Sequence, residues 1–233
     1  MGMADTEISV VLTRANTEGE LTIPIQALMV PECMTLPESA TFADGSATAD
    51  IKISISEEMK PFTEYQLSFR IPEEYSNAYA ADGKSPIFNI TVKKEDFKVV
   101  ANGVFKEAIL FKQEWPQALE YSPILGIYRI PDCFAVGGHW YFHFNGNDEF
   151  WFTDAEGNKV EKFASGYTDS RYGMIMANVV TDYEMGYDTT IPGIEGQFYF
   201  VMSMTVSAGT FGTNYELFDI QEWLEKPWET NAE

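Results

Sequence analysis

His139 and His143 are the only histidines in the chain. On a helix, a spacing of four would put both on one face, where such a pair can hold zinc. The run Gly138-His139-Trp140-Tyr141-Phe142-His143-Phe144 reads instead as a strand, with Trp140, Phe142 and Phe144 on one face and His139, Tyr141 and His143 on the other. At about 3.3 Å per residue the two imidazoles then lie roughly 13 Å apart. One zinc ion needs both nitrogens within roughly 2.0–2.1 Å, so neither a metal nor a cofactor is expected. Three aromatic residues sit on faces that are otherwise polar. Tyr141 lies with the histidines, Trp151 with Glu149 and Thr153, and Tyr199 with Gln197, Ser203 and Thr205. Rings beside polar groups can stack on sugars or anchor a protein partner. The candidate ligand-binding set is Trp151, Tyr141, Tyr199, His139 and His143. The alternative is that a neighbouring sheet or the first domain covers these faces. Tyr167, Tyr172, Tyr183 and Tyr187, in glycine-rich segments with several aspartates, form a second candidate group.

The acidic runs Asn145–Glu149 and Asp154–Glu161 invite a calcium reading. Asp154-Ala155-Glu156-Gly157-Asn158 lacks the ligand order of an EF-hand, and Asp, Asn and Gly are the residues a hairpin turn needs. A glycoside hydrolase needs two carboxyls roughly 5–9.5 Å apart, and among 36 acids nothing marks one pair. No nucleophile elbow, phosphate loop or dinucleotide motif is present, so no enzyme is expected.

These residues need a scaffold, and the sequence writes it in period two. Ile8, Val10 and Leu12 alternate with polar residues, as do Leu21, Ile23 and Ile25; Ile51, Ile53 and Ile55; Leu67, Phe69 and Ile71; and Phe88, Ile90 and Val92. Each is a strand with one buried face. Turn signals separate them at Asn16–Gly19, Asp44-Gly45, Lys60-Pro61 and Asp82-Gly83. Pro24 removes a ladder donor and predicts an edge strand or a bulge. Short strands at this spacing predict a β-sandwich.

The stretch Leu36-Pro37-Glu38-Ser39-Ala40-Thr41-Phe42-Ala43-Asp44-Gly45, then Ile51–Ile55, then Phe62–Phe69, resembles Calx-beta-type immunoglobulin-like domains. It is most similar to those at the front of uncharacterised surface lipoproteins of Gram-negative gut anaerobes. The resemblance covers residues 7–97. The calcium role of some such domains is not carried over, because Glu57, Glu58, Glu73 and Glu74 form no ligand series. Leu125–Pro131 and the Asp154–Asn158 hairpin resemble the second domain of the same lipoproteins.

Composition changes near the turn signal Asn102-Gly103. All five tryptophans, 12 of 17 phenylalanines and nine of 12 tyrosines follow it. The predicted strands continue, among them Gln197–Ser207 and Phe211–Ile220, with short helical turns near Gln113–Leu119 and Asp219–Lys226. The expected fold is all-β: an immunoglobulin-like sandwich over 1–100, then an aromatic-rich sandwich or open barrel over 101–233. Cys33 and Cys133 are expected as two thiols rather than a bridge.

The formal charge is −21, from 15 basic and 36 acidic residues. It falls as −8 on residues 1–100 and −13 on the rest. A nucleic-acid partner is excluded, as is a polybasic membrane contact. No run of 18 apolar residues exists. The start, Met1–Asp5, has no signal-peptide pattern. The resemblance implies a mature lipoprotein at the outer-membrane surface or outside the cell, with membrane contact only through a lipid anchor. The expected function is non-enzymatic binding of a glycan or a partner surface protein. The alternatives are a structural spacer or assembly subunit, and a glycan hydrolase.

Overall fold

The computed structural model describes residues 1–76, 86–181 and 183–230. The Asp82-Gly83 turn signal lies outside them. The chain divides into two compact units, Met1–Glu95 and Asp96–Glu233, each with its own apolar core. Both are all-β.

The first unit runs β1 (Glu7–Thr13), β2 (Leu21–Pro24), β3 (Gln26–Met29), β4 (Met34–Thr35), β5 (Ser39–Phe42), β6 (Thr48–Ile55), β7 (Tyr65–Arg70) and β8 (Ile87–Val92). Antiparallel ladders join β1-β6-β4, β2-β5 and β3-β7-β8. The alternation of β6 is literal: Ala49, Ile51, Ile53 and Ile55 are buried and the residues between them are exposed. Phe69 stacks on Phe88 at 4.8 Å across β7 and β8. Pro24 ends β2, which pairs with β5 in a two-stranded ladder among the described residues, and the chain continues as β3 in the β3-β7-β8 ladder. Two predicted turns lock together. Gly19 N donates to Asp44 Oδ1 at 2.7 Å, Gly45 N donates to Thr17 O at 2.8 Å, and both glycines have positive φ. Arg14 crosses between them and donates to Ser46 O, Gly19 O and Ala43 O at 2.8–2.9 Å.

The second unit runs β9 (Lys98–Glu107), β10 (Gln113–Ser122), β11 (Ile127–Ile130), β12 (Trp140–Phe144), β13 (Phe150–Thr153), β14 (Lys162–Asp169), β15 (Gly173–Val179), β16 (Gly186–Asp188), β17 (Gly196–Val206) and β18 (Gly209–Trp223), then a one-turn helix α1 (Pro227–Thr230). One sheet takes the order β13-β12-β11-β10-β9-β18-β17-β15-β14, with β16 added to β17. Its two edges, β13 and β14, are consecutive in the chain. The sheet curls until they meet: Phe152 of β13 stacks on Phe163 of β14 at 5.2 Å. Trp140 Nε1 spans the same seam to Ser165 O at 2.9 Å. The inward positions carry Phe105, Tyr128, Trp140, Phe142, Phe152, Phe198, Phe200 and Phe218, all fully buried. Their rings meet at 5–6.5 Å, mostly edge-to-face or tilted, with Tyr128 stacked on Phe142, which fills the interior.

Three local expectations are corrected. Asn102-Gly103 is no turn but lies inside β9. A Cβ at Gly103 would run into the backbone carbonyl of Asp219 on β18, so the glycine permits close approach of two strands. Gln113–Leu119 is strand, not helix, because β10 pairs with β9 along this whole stretch. Pro116 is tolerated there because β11 reaches only Glu120–Ser122. Asp219–Lys226 continues β18 to Trp223, and helix begins only at Pro227.

Candidate functional site

The hairpin of β12 and β13 pairs His143 directly with Trp151. Their rings stack at 4.1 Å and 16° on the outer face. His143 Nδ1 lies 3.1 Å from Gly126 O. A carbonyl only accepts, so Nδ1 carries the proton and the ring is fixed in tautomer and orientation. Trp151 is half-buried, and the exposed Lys159 stands 6.0 Å from its ring centre. Lys159 pairs with Thr153 on the side of β13 away from β12, so it approaches the indole from the side opposite His143.

What brings Lys159 there is the turn Asp154–Asn158. Asp154 Oδ1 accepts from Glu156 N at 3.0 Å and Asn158 N at 2.8 Å, and Gly157 takes positive φ. Partial burial pushes the Asp154 carboxyl up. Hydrogen bonds from Asn158, from its side chain first, and from the following backbone outweigh this and hold it below the ordinary carboxylate range. The turn folds back over the outer face: a Cβ at Gly157 would sit 3.9 Å from Ile127 Cγ2. Ile127 and Thr153 point outward yet are each only 2 % exposed. Part of this face is thus covered by the chain's own hairpin. The Asn145–Glu149 loop also uses turn chemistry, with Asn145 Oδ1 accepting from Asn147 N and Glu149 N.

Tyr141 and His139 form an adjoining cluster. Their ring centres are 6.0 Å apart, and Tyr141 is tilted 5.9 Å from Phe97. The Arg129 guanidinium lies 3.9 Å over Phe97 and donates from Nε to Glu120 Oε2 at 2.6 Å. His139 precedes β12, and its Nδ1 accepts from Asp132 N at 3.0 Å. Tyr199 is elsewhere. It sits on β17 between Gly186 and Leu217, five strands from β12 along the ladder through β11, β10, β9 and β18. At about 4.8 Å per strand that is roughly 24 Å along the surface. The structure therefore joins four of the five predicted residues in two neighbouring clusters and leaves Tyr199 apart.

The second tyrosine group divides. Tyr187 lines the core, in contact with Phe144, Phe198 and Trp228, and its hydroxyl accepts from Trp223 Nε1 at 2.9 Å. Tyr172 and Tyr183 are exposed. Tyr172 meets the exposed Phe211 edge-to-face at 5.8 Å under Arg171. Phe211 was not singled out in the sequence, nor were two inward-facing carboxylates, Glu107 and Glu216, buried to 3 % and 0 % exposure. A signal existed for the acids. In Phe105-Lys106-Glu107 and in Glu216-Leu217-Phe218-Asp219-Ile220, each glutamate shares the parity of buried apolar neighbours.

No family model matches the chain, and no curated protein matches it. Solved structures similar to it include a protein of unknown function from Bacteroides ovatus, at 7% identity and TM-score 0.35, covering 94% of this chain and 86% of that one. Another is an auxiliary nutrient binding protein from Bacteroides thetaiotaomicron, at 9% identity and TM-score 0.33, covering 92% and 81%. A multidomain Bacteroides ovatus protein including DUF1735 matches at 11% identity and TM-score 0.29, covering 92% and 84%. Similarity at this level carries no inference about ligand or activity. No helix among the described residues is long and apolar enough to cross a membrane.

Proposed function

We propose that the chain is a non-enzymatic binding protein of the cell envelope and takes a glycan on the outer face of β12 and β13. The observation that carries this reading is the held indole of Trp151. His143 backs one side at 4.1 Å, and on the other side the ammonium of the exposed Lys159 stands 6.0 Å from the ring centre. A ring already fixed by stacking loses little entropy when a sugar packs on it. Lys159 and His143 Nε2 stand beside it as hydrogen-bonding partners for hydroxyls. The filled interior supports an outside site over an inside one. The resemblance of residues 7–97 to surface lipoproteins supports the envelope location.

A glycan array followed by calorimetry on the best hit tests this. Trp151→Ala is expected to weaken binding about tenfold or more, as loss of an aromatic anchor does. Array-wide silence, or a variant that binds like the parent, would remove the reading.

A further inference from the structure

The inner face of the sheet holds a second feature that glycan binding does not use. Glu107 ends β9, and its carboxylate receives four consecutive backbone N–H groups. Oε1 accepts from Ile109 at 2.7 Å and Leu110 at 2.6 Å; Oε2 accepts from Phe111 at 2.6 Å and Lys112 at 3.0 Å. Such a nest is built for a negative charge. The loop it gathers crosses one end of the curled sheet. Ile109 and Leu110 pack on the core, while Phe111 reaches Phe134 at 5.9 Å and Tyr167 of β14 at 5.0 Å. Lys112 is held at φ 54, a left-handed conformation that strains a non-glycine residue.

Glu216 faces this nest from β18. The ladder sets Leu217 against Lys106 and Phe218 against Phe105, so Glu216 is the next inward partner of Glu107. Its Oε2 accepts from Ala108 N at 3.2 Å, and its buried Oε1 has no hydrogen-bond partner. Its other surroundings are Phe200 on β17, opposite it in register, and the buried Cys133 thiol from the β11–β12 loop. Lys106 and Asp219 pair with each other on the outer face. One carboxylate is fully served by donors and the other has a single N–H. Two negative charges in this dry space would repel without compensation, so the pair retains one proton, on Glu216.

We propose that Glu107 and Glu216 form a proton-operated latch that holds the Ala108–Lys112 loop across the end of the curled sheet. With the proton on Glu216, Glu107 keeps its four N–H bonds and the loop is shut. When hydroxide removes that proton, two carboxylates face each other. Relief comes by taking Glu107 out to water, which breaks the nest and frees the loop. Burial first, and Glu107 second, push the Glu216 carboxyl up to about 9, which places the release in the alkaline range.

Labelling of Cys133 by a disulfide reagent tests the latch, because that thiol is buried close to both carboxylates and its neighbour Phe134 touches Phe111 of the loop. Cys33→Ser makes it the sole target. Rates are divided by that of free cysteine at each pH. The parent is expected to be well protected near neutrality, to gain up to about tenfold in normalised rate per pH unit on the approach to the transition near 9, and to level off above it. Glu216→Gln, neutral at every pH, is expected to show no such rise. Glu107→Gln, which weakens the nest, is expected to label at least about tenfold faster than the parent near neutrality, one pH unit's worth of opening. The latch is overturned by a rise in Glu216→Gln as steep as in the parent. Equal neutral rates for Glu107→Gln and the parent would also overturn it. So would loss of far-UV circular dichroism in step with labelling, which would mean global unfolding.

Discussion

Glu216 is a carboxylic acid on a face built of phenylalanine, and its neutrality has a thermodynamic signature. Its carboxyl stands near 9 in the fold against an ordinary 4.5. Between those values the native state keeps a proton that the unfolded chain has released. Stability contributed by this group is therefore full below about pH 4.5 and is lost as pH rises towards 9. Glu216→Gln should abolish that slope and, near pH 8, exceed the parent in stability by on the order of a few kcal/mol, read from denaturant melts across pH. Trp151 and both histidines were legible because parity alone turned them outward. The covering of Ile127 and Thr153 was not, since strand parity says nothing about a turn that folds back over its own strand. At the indole, His143→Ala should weaken glycan binding less than Trp151→Ala, because it removes the backing and not the platform; equal losses in calorimetry would assign His143 a direct contact.

At the scale of elements, the strands were written in the alternation of the chain, and the misreadings fall where one residue type serves two purposes. Asn-Gly is a strong hairpin signal, yet Gly103 exists for the approach of Asp219 O rather than for a turn. Gln113–Leu119 reads as a helical turn, yet it pairs with β9 throughout, and Pro116 fits because among the described residues β11 meets β10 only from Glu120 on. Both facts are tertiary and no local pattern contains them. Gly103→Ala should therefore cost several kcal/mol, beyond the roughly 1–3 kcal/mol of ordinary overpacking, because the obstacle is backbone and cannot rotate away. A thermal melt of the variant measures this. Asp154→Ala removes the acceptor of two backbone N–H groups and should cost about 1 kcal/mol by the same method.

At the scale of the molecule, two cores mean two sets of consequences. Cys33 lies in the first core and Cys133 in the second, both buried and free. Denatured protein should expose two titratable thiols, and a reductant should leave both melting transitions where they are. Phe69→Ala should lower only the first unit's transition and Phe200→Ala only the second's, each by about 3–5 kcal/mol. The division into an isoleucine-rich half and an aromatic half was legible in composition. An open barrel was one of two readings of the second half; the curl itself rests on the meeting of Phe152 on β13 with Phe163 on β14, which no local pattern contains. That sheet also begins and ends at one place. Leu224 N donates to Val100 O at 2.8 Å, and Lys98 pairs with Glu225 at 2.7 Å. Its first and last strands are antiparallel neighbours whose outer ends lie side by side. Tension applied between Asp96 and Thr230 would therefore load the β9–β18 ladder one rung at a time, as a zip is opened, rather than all rungs in shear. The unit should yield at low force under a pull from its own ends, and from that seam inward.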